Sequence, residues 1–279
     1  MTTQHDYAPT KTLGPRAAQL FTELYERGRS TFTLSDVEAI TGLSTGSARS
    51  LVHKAQQRGL VTRLKPGLYN LVPFELGRAT EHIDNPYLIA RELAGTAVYF
   101  LSHATALELH RMTTQPNFTI YTSCTRRVRP QTVGGYDFRF IHINDAQNFG
   151  VTKHWVDKER FVMISDMERT IIDGLRHPAY AGGITEIAKG LWMKRDTIQV
   201  DRLVDYALRI DVGAVFRRLG FLLEQYKLAD ADQLETLRAK LTATYQRLDP
   251  MMPSEGKFVS RWRLQLNITP EEFDAVRLG

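Results

Sequence analysis

The residues with most chemistry to offer lie in one short stretch. Ser44, Thr45, Ser47, Arg49, Ser50, His53, Lys54 and Arg58 fall on the cap and the outward positions of a single helical period. Hydroxyls come first and bases follow. That order suits a helix whose N-terminal end enters the major groove of DNA, where hydroxyls and Arg49 meet base edges and the later bases reach phosphates. The helix dipole adds attraction for phosphate near Ser44. Arg63 and Lys65 follow, placed to meet the backbone or the minor groove. No acid occurs between Glu38 and Glu75. A solvated basic face is the plain alternative, and the absence of acids favours a polyanionic partner over it. A second acid-free strip runs from Leu109 to Tyr136 and holds Arg111, Arg126, Arg127 and Arg129. A buried arginine needs a partner acid, and none is near in sequence, so the strip is expected to be exposed. It is read as a solvated loop, as a contact to DNA backbone, or as a contact to the RNA-like ligand environment of a partner protein, with DNA the simpler of the two contacts.

Catalytic patterns are sought and not found. His103 and His110 stand seven apart around Glu108, whereas a helical zinc-protease site needs two His four apart. There is no phosphate-cradling G-x-x-x-x-G-K-[ST] loop and no G-x-S-x-G elbow. Arg169 and Asp173, four apart on one helix, are expected to pair and tie that helix to the core. Asp157, Lys158 and Glu159 fall in a hairpin turn, a poor place for a nuclease centre. The lone Cys124 excludes an internal disulfide and any Cys-cluster zinc site, and it reads as a packing residue at a strand end. Neither a metal nor a cofactor is expected.

The elements that must hold these residues are legible in the first seventy positions. Arg16 to Gly28 reads as a helix with Ala17, Leu20, Phe21, Leu24 and Tyr25 inward. Thr31 to Thr33 is β-prone. Ser35 is expected to cap a second helix, with Glu38 completing a capping box and Val37 and Ile40 inward. Gly42 permits a left-handed turn, Leu43 pins it, and Ser44 caps the third helix, which buries Ala48, Leu51, Val52 and Ala55 and ends at Gly59. Two β-prone runs then flank the turn Lys65-Pro66-Gly67. This is a winged helix-turn-helix. A winged helix used only for protein contacts is the alternative.

The chain has 279 residues, 43% hydrophobic and 24% charged, which suits two globular domains. Residues 1–74 hold nine Lys and Arg against five Asp and Glu; the rest holds 27 against 26. The excess charge is thus N-terminal. No stretch of ~20 apolar residues exists for a membrane span, and Met1 to Pro9 has no apolar signal core, so a cytoplasmic location is expected. Pro73 and Gly77 suggest a boundary, giving a DNA-binding domain at 10–74 and a larger domain at 78–279. The second domain reads as α+β. Helix is expected over Glu81–Leu93, broken near Pro86, and after Ser102. Strands are expected at Val98–Leu101, Phe118–Thr122, Phe138–Ile143, Val151–Val156 and Arg160–Ile164. A helix follows from Asp166, ended by Pro178. A helical layer runs from Ile184 to about Leu248, and Lys257–Asn267 reads as a late strand.

Three stretches resemble the AbiEi-type antitoxins of bacterial abortive-infection systems. They are Lys65-Pro66-Gly67-Leu68-Tyr69-Asn70-Leu71-Val72, then Ser102 to His110, and then Ser165 to Asp173 followed by Pro178, Gly182 and Gly183. The resemblance implies a winged-helix transcriptional autorepressor of a two-gene operon whose other gene encodes a nucleotidyltransferase-type toxin that this protein counteracts. It implies double-stranded operator DNA as a partner. An inverted repeat, bound by a homodimer or by cooperating monomers, is expected because one winged helix covers one half-site. The competing class is a nucleic-acid-processing enzyme, a nuclease or transferase, brought to its substrate by the winged helix.

Overall fold

The computed structural model describes residues 11–269 and 271–273. The polar N-terminal stretch 1–9 lies outside the described residues. The chain divides into two compact units, one formed by residues up to Leu93 with Thr132–Tyr136, the other by Ala94–Gln131 and Asp137 onward.

The first unit opens with α1 (Pro15–Glu26), β1 (Thr31–Thr33), α2 (Leu34–Thr41) and α3 (Thr45–Gln57). Ala17, Leu20, Phe21 and Leu24 are buried on α1, but Tyr25, expected inward, is half exposed. Capping of α2 differs from expectation by two residues. Thr33, not Ser35, is the cap, and Asp36, not Glu38, completes the box: the Thr33 hydroxyl accepts from the Asp36 N–H, and the Asp36 carboxylate accepts from the Thr33 N–H at 2.7 Å. Strand β1 runs directly into the helix, so the last strand residue is the one with free extended geometry. Gly42 takes φ 68°, ends α2 and sets the turn into α3. Ala48, Val52 and Ala55 bury against Leu20, Phe32 and Val37. The strands β2 (Val61–Lys65) and β3 (Leu68–Leu71) form an antiparallel hairpin, with β1 on the outer side of β3. Gly67 at φ 81° allows the tip.

The boundary expected at Pro73 and Gly77 lies inside this unit. Residues 78–93 are held to the winged helix by side chains from the wing and from the residue before β1. The Thr62 hydroxyl accepts from the His82 N–H at 2.9 Å, Asn70 donates to the His82 carbonyl at 3.2 Å, and Ser30 donates to Asp84 at 2.7 Å. Helix α4 (Pro86–Ala94) is started by Pro86 and not broken by it, because proline at the first helical position has no N–H to leave unmet. Asn85 accepts from the N–H groups of Tyr87 and Leu88. Gly134 donates to Glu81 at 2.8 Å within the same unit.

In the second unit come β4 (Tyr99–Leu101), α5 (His103–Leu109) and β5 (Thr119–Cys124). Strand β6 (Gln131–Val133) leads into the Thr132–Tyr136 excursion and β7 (Tyr136–His142) out of it. The hairpin β8 (Val151–Trp155) and β9 (Phe161–Ser165) follows, then α6 (Met167–Arg176). The sheet runs β7-β5-β4-β9-β8, with β5/β7 and β4/β9 parallel and β4/β5 and β8/β9 antiparallel. Helices α7 (Ile184–Met193), α8 (Val200–Ile210), α9 (Gly213–Gln225) and α10 (Ala231–Arg238) pack around α6 in one apolar cluster that includes Ile172, Leu191, Leu203, Leu219 and Trp262. The helical layer stops at Arg238, short of the expected Leu248. Residues expected as its end, and those expected as one late strand, form a three-stranded sheet: β10 (Gln246–Arg247), β11 (Lys257–Val259) and β12 (Leu264–Leu266), in the order β10-β12-β11. The turn before Trp262 splits the expected strand in two. The architecture is α+β with an N-terminal winged helix.

Candidate nucleic-acid interface

Helix α3 is positioned from both ends. Its N-terminus is capped by Ser44, whose hydroxyl accepts from the Ser47 N–H. The helix before it is fixed by Arg29, which donates twice to Asp36, at 2.8 and 3.1 Å. Burial alone would push the Asp36 carboxyl up; the hydrogen bonds from Arg29 and Thr33 outweigh it and hold it below the ordinary carboxylate value. From α1, Arg16 donates to the Thr41 carbonyl and Gln19 to the Ile40 carbonyl, at 3.2 and 2.9 Å. The turn of the helix-turn-helix is therefore held by side chains from a third element.

Thr45, Ser47, Arg49, Ser50, His53, Lys54 and Arg58 are all exposed, as is Ser44. They do not form a single group. Arg49 and His53, one turn apart, face the wing and with Arg63 line a cleft of about 460 Å³ between α3 and the hairpin, floored by Leu34 and Tyr69. Lys54 and Arg58 are rotated away from them and line a smaller hollow of about 220 Å³ beside the start of α1. His53 also contacts Gln57 at 3.1 Å.

Lys65 is placed differently from expectation. Its ammonium donates to the carbonyls of Glu92 and Leu93, at 3.1 and 3.0 Å, at the C-terminal end of α4. A helix C-terminus carries partial negative charge and unmet carbonyls. A bulge between Arg63 and Lys65 lets these two bases part, so that Arg63 stays exposed while Lys65 turns to α4. Gln56 was missed in the sequence. It lines the same cleft as Arg49 and His53, and its position seven after Arg49 was the available signal.

Arg126, Arg127 and Arg129 follow β5 in the second unit, and all three are exposed, as is Arg111. Arg126 donates to the Ala94 carbonyl at 2.9 Å. Cys124 is buried at the end of β5.

The stretches Ser102–His110 and Ser165–Asp173 are joined to each other. His110 Nε2 donates to the Ser165 carbonyl at 2.6 Å. Arg169 is fully buried, pairs with Asp173 at 2.9 Å, and donates to the carbonyls of Gln147 and Phe149. Glu168 accepts from the Gln199 N–H at 2.8 Å, and Asp166 accepts from the Arg169 N–H and the Tyr206 hydroxyl. These residues knit α6 to the sheet and to α8. His103 is buried, with Nδ1 2.9 Å from the Ser102 hydroxyl. Burial, aided by His177, Arg169 and Arg176, lowers its pKa to about 3, so it is neutral. Among the described residues, no group of three His, Cys, Asp or Glu side chains could hold a metal ion. No helix among them is long and apolar enough to cross a membrane.

A basic helix facing a wing, on a unit followed by an α+β unit, defines a winged-helix protein. Residues 21–72 match the family described as transcriptional regulator, AbiEi antitoxin. That span includes the first of the three resembling stretches, Lys65 to Val72, so the winged-helix segment is similar to that family. The crystal structure of the RV2827C protein from Mycobacterium tuberculosis is similar over 92% of this chain and 93% of that one, with a TM-score of 0.68 at 15% sequence identity. At that identity the likeness is one of fold. No curated protein sequence matches the chain.

Proposed function

We propose that the protein is a DNA-binding autorepressor and antitoxin, in which the winged helix binds operator DNA and the second unit serves to counteract a nucleotidyltransferase-type toxin. The observation that carries the DNA half is the convergence of Arg49, His53 and Arg63 on one cleft between α3 and the wing, in a segment with no acid from Ala39 to Phe74. Ser44, Thr45, Ser47, Arg49 and Ser50 face base edges; His53, Lys54, Arg58 and Arg63 face phosphates. Lys65 supports the wing from α4 and leaves the DNA contact at the tip to Arg63. Arg126, Arg127 and Arg129 form a second basic strip that touches DNA backbone. The test is a gel shift with the DNA upstream of the protein's own gene. A retarded complex that resists competition by random duplex supports repression, and equal competition by random duplex argues against it. For the toxin half, co-expression with the neighbouring gene's product is the readout. Loss of protection in Arg126→Glu/Arg127→Glu with operator binding intact would assign that strip to antitoxicity.

A further inference from the structure

The C-terminal sheet carries an outer face that neither half of the proposed function uses. In the register of β10, β12 and β11, Arg247, Gln265 and Phe258 lie in one row, and Gln246, Leu264 and Val259 in the next. Leu264 is fully buried, which turns its row to the core and sets Phe258 and Arg247 on the opposite face, where Gln265 between them is buried and accepts from Ser254. Phe258 is 64% exposed and meets Tyr245, itself 39% exposed, edge to face at 5.3 Å. The Arg263 guanidinium lies over the Tyr245 ring, 5.6 Å from its centroid.

This platform is rigid. Between β11 and β12 the chain plants Trp262, fully buried, against α9. The indole N–H donates to Glu224 at 2.6 Å, and Arg261 donates to the other oxygen of the same carboxylate at 2.6 Å. Gly220 of α9 makes the room: a Cβ there would stand 2.0 Å from the indole ring. Arg263 holds a left-handed φ of 51° beside this anchor, a conformation that persists only where the surroundings fix it. Two large aromatic rings are thus held out in water, although apolar side chains normally bury.

The bases on this side are Arg247 and Arg263, and the exposed acid nearby is Glu255; Lys257, paired with Leu266, lies on the opposite face. Exposed rings on a sheet, interleaved with arginine, fit a polyanion that also carries flat apolar faces. Duplex DNA hides its base faces in the stack; a single strand offers them. We infer that this face binds single-stranded nucleic acid, with a base stacked on Phe258, a neighbour near Tyr245, and phosphates met by Arg263 and Arg247.

Fluorescence anisotropy of the full chain with a labelled single-stranded oligouridylate tests this. Phe258→Ala is expected to weaken binding roughly 5- to 150-fold, the effect of losing one stacked base, and Arg263→Ala to lower the log–log salt slope by roughly 0.7. Phe258 is 64% exposed, so thermal melting of Phe258→Ala is expected to be unchanged. Duplex binding through α3 is also unchanged in these variants, while Arg49→Ala leaves the single-strand affinity as it was. The inference is overturned if the wild type does not bind the oligouridylate. It is equally overturned if Phe258→Ala and Tyr245→Ala bind it like the wild type, or if Arg49→Ala abolishes the binding, which would place the strand on the winged helix.

Discussion

At the scale of single residues, Arg49 and Lys65 separate two roles that their sequence context made alike. Arg49 lines the cleft with Arg63. If it reads a guanine, Arg49→Ala costs about 1–3 kcal/mol of operator affinity and relaxes preference at one base pair. An equal loss on operator and random duplex would show it to be a phosphate contact. Arg63→Ala flattens the salt dependence of duplex binding by roughly 0.9 in log–log slope. Lys65→Ala leaves that slope alone and lowers stability by about 1 kcal/mol, because the α4 carbonyls lose their cation. Urea unfolding beside a salt series distinguishes the two outcomes. The placement of Lys65 was not legible, because sequence shows a base near a turn, but not the bulge that turns it or the helix end that receives it. The outward face of α3 was legible, since a helix fixes which positions point away from its apolar stripe. What the period could not give was the division of that face into a wing side and an α1 side, which depends on where the hairpin folds back.

At the scale of elements, legibility followed locality. The helix-turn-helix, the β8–β9 hairpin and the Asp166 cap are each set by residues within a few positions of each other. The cap of α2 lies at Thr33 and not at Ser35 because a strand enters the helix directly, and the sequence around Ser35 does not show where that strand stops. The end of the helical layer was misplaced because β10 exists only by pairing with β12, almost twenty residues on. Two predictions belong here. Gly220→Ala pushes a methyl into the indole of Trp262 and is expected to cost about 1–3 kcal/mol as overpacking, read as a fall in Tm; an unchanged Tm would mean that Trp262 can shift freely. The second concerns acid. His103 has its pKa lowered in the folded state, from 6.5 to about 3. The folded protein therefore resists a proton that the unfolded chain takes up. Stability from this site is full above about pH 6.5 and is lost progressively as pH falls towards 3. His103→Gln is expected to move the acid-unfolding midpoint, followed by circular dichroism, to lower pH; an unmoved midpoint would exclude His103 as a determinant.

At the scale of the whole molecule, the charge is divided as the proposed labour is. Nearly all the net excess of bases lies in residues 1–74, while the second unit spends its distinctive motif on buried ties among Arg169, Asp173, Glu168 and Asp166. A winged helix of this size covers one half-site, so footprinting is expected to show two protected segments about one helical turn, or a multiple of it, apart; one isolated half-site at saturation would contradict that arrangement. The most direct test of the central claim is the affinity of the full chain for its own upstream duplex and for a scrambled duplex of equal length, at one fixed salt concentration. The account predicts a preference for the upstream sequence of at least ~10³-fold, reduced by Arg49→Ala. Equal affinity for the two duplexes, or no binding to either, would contradict it.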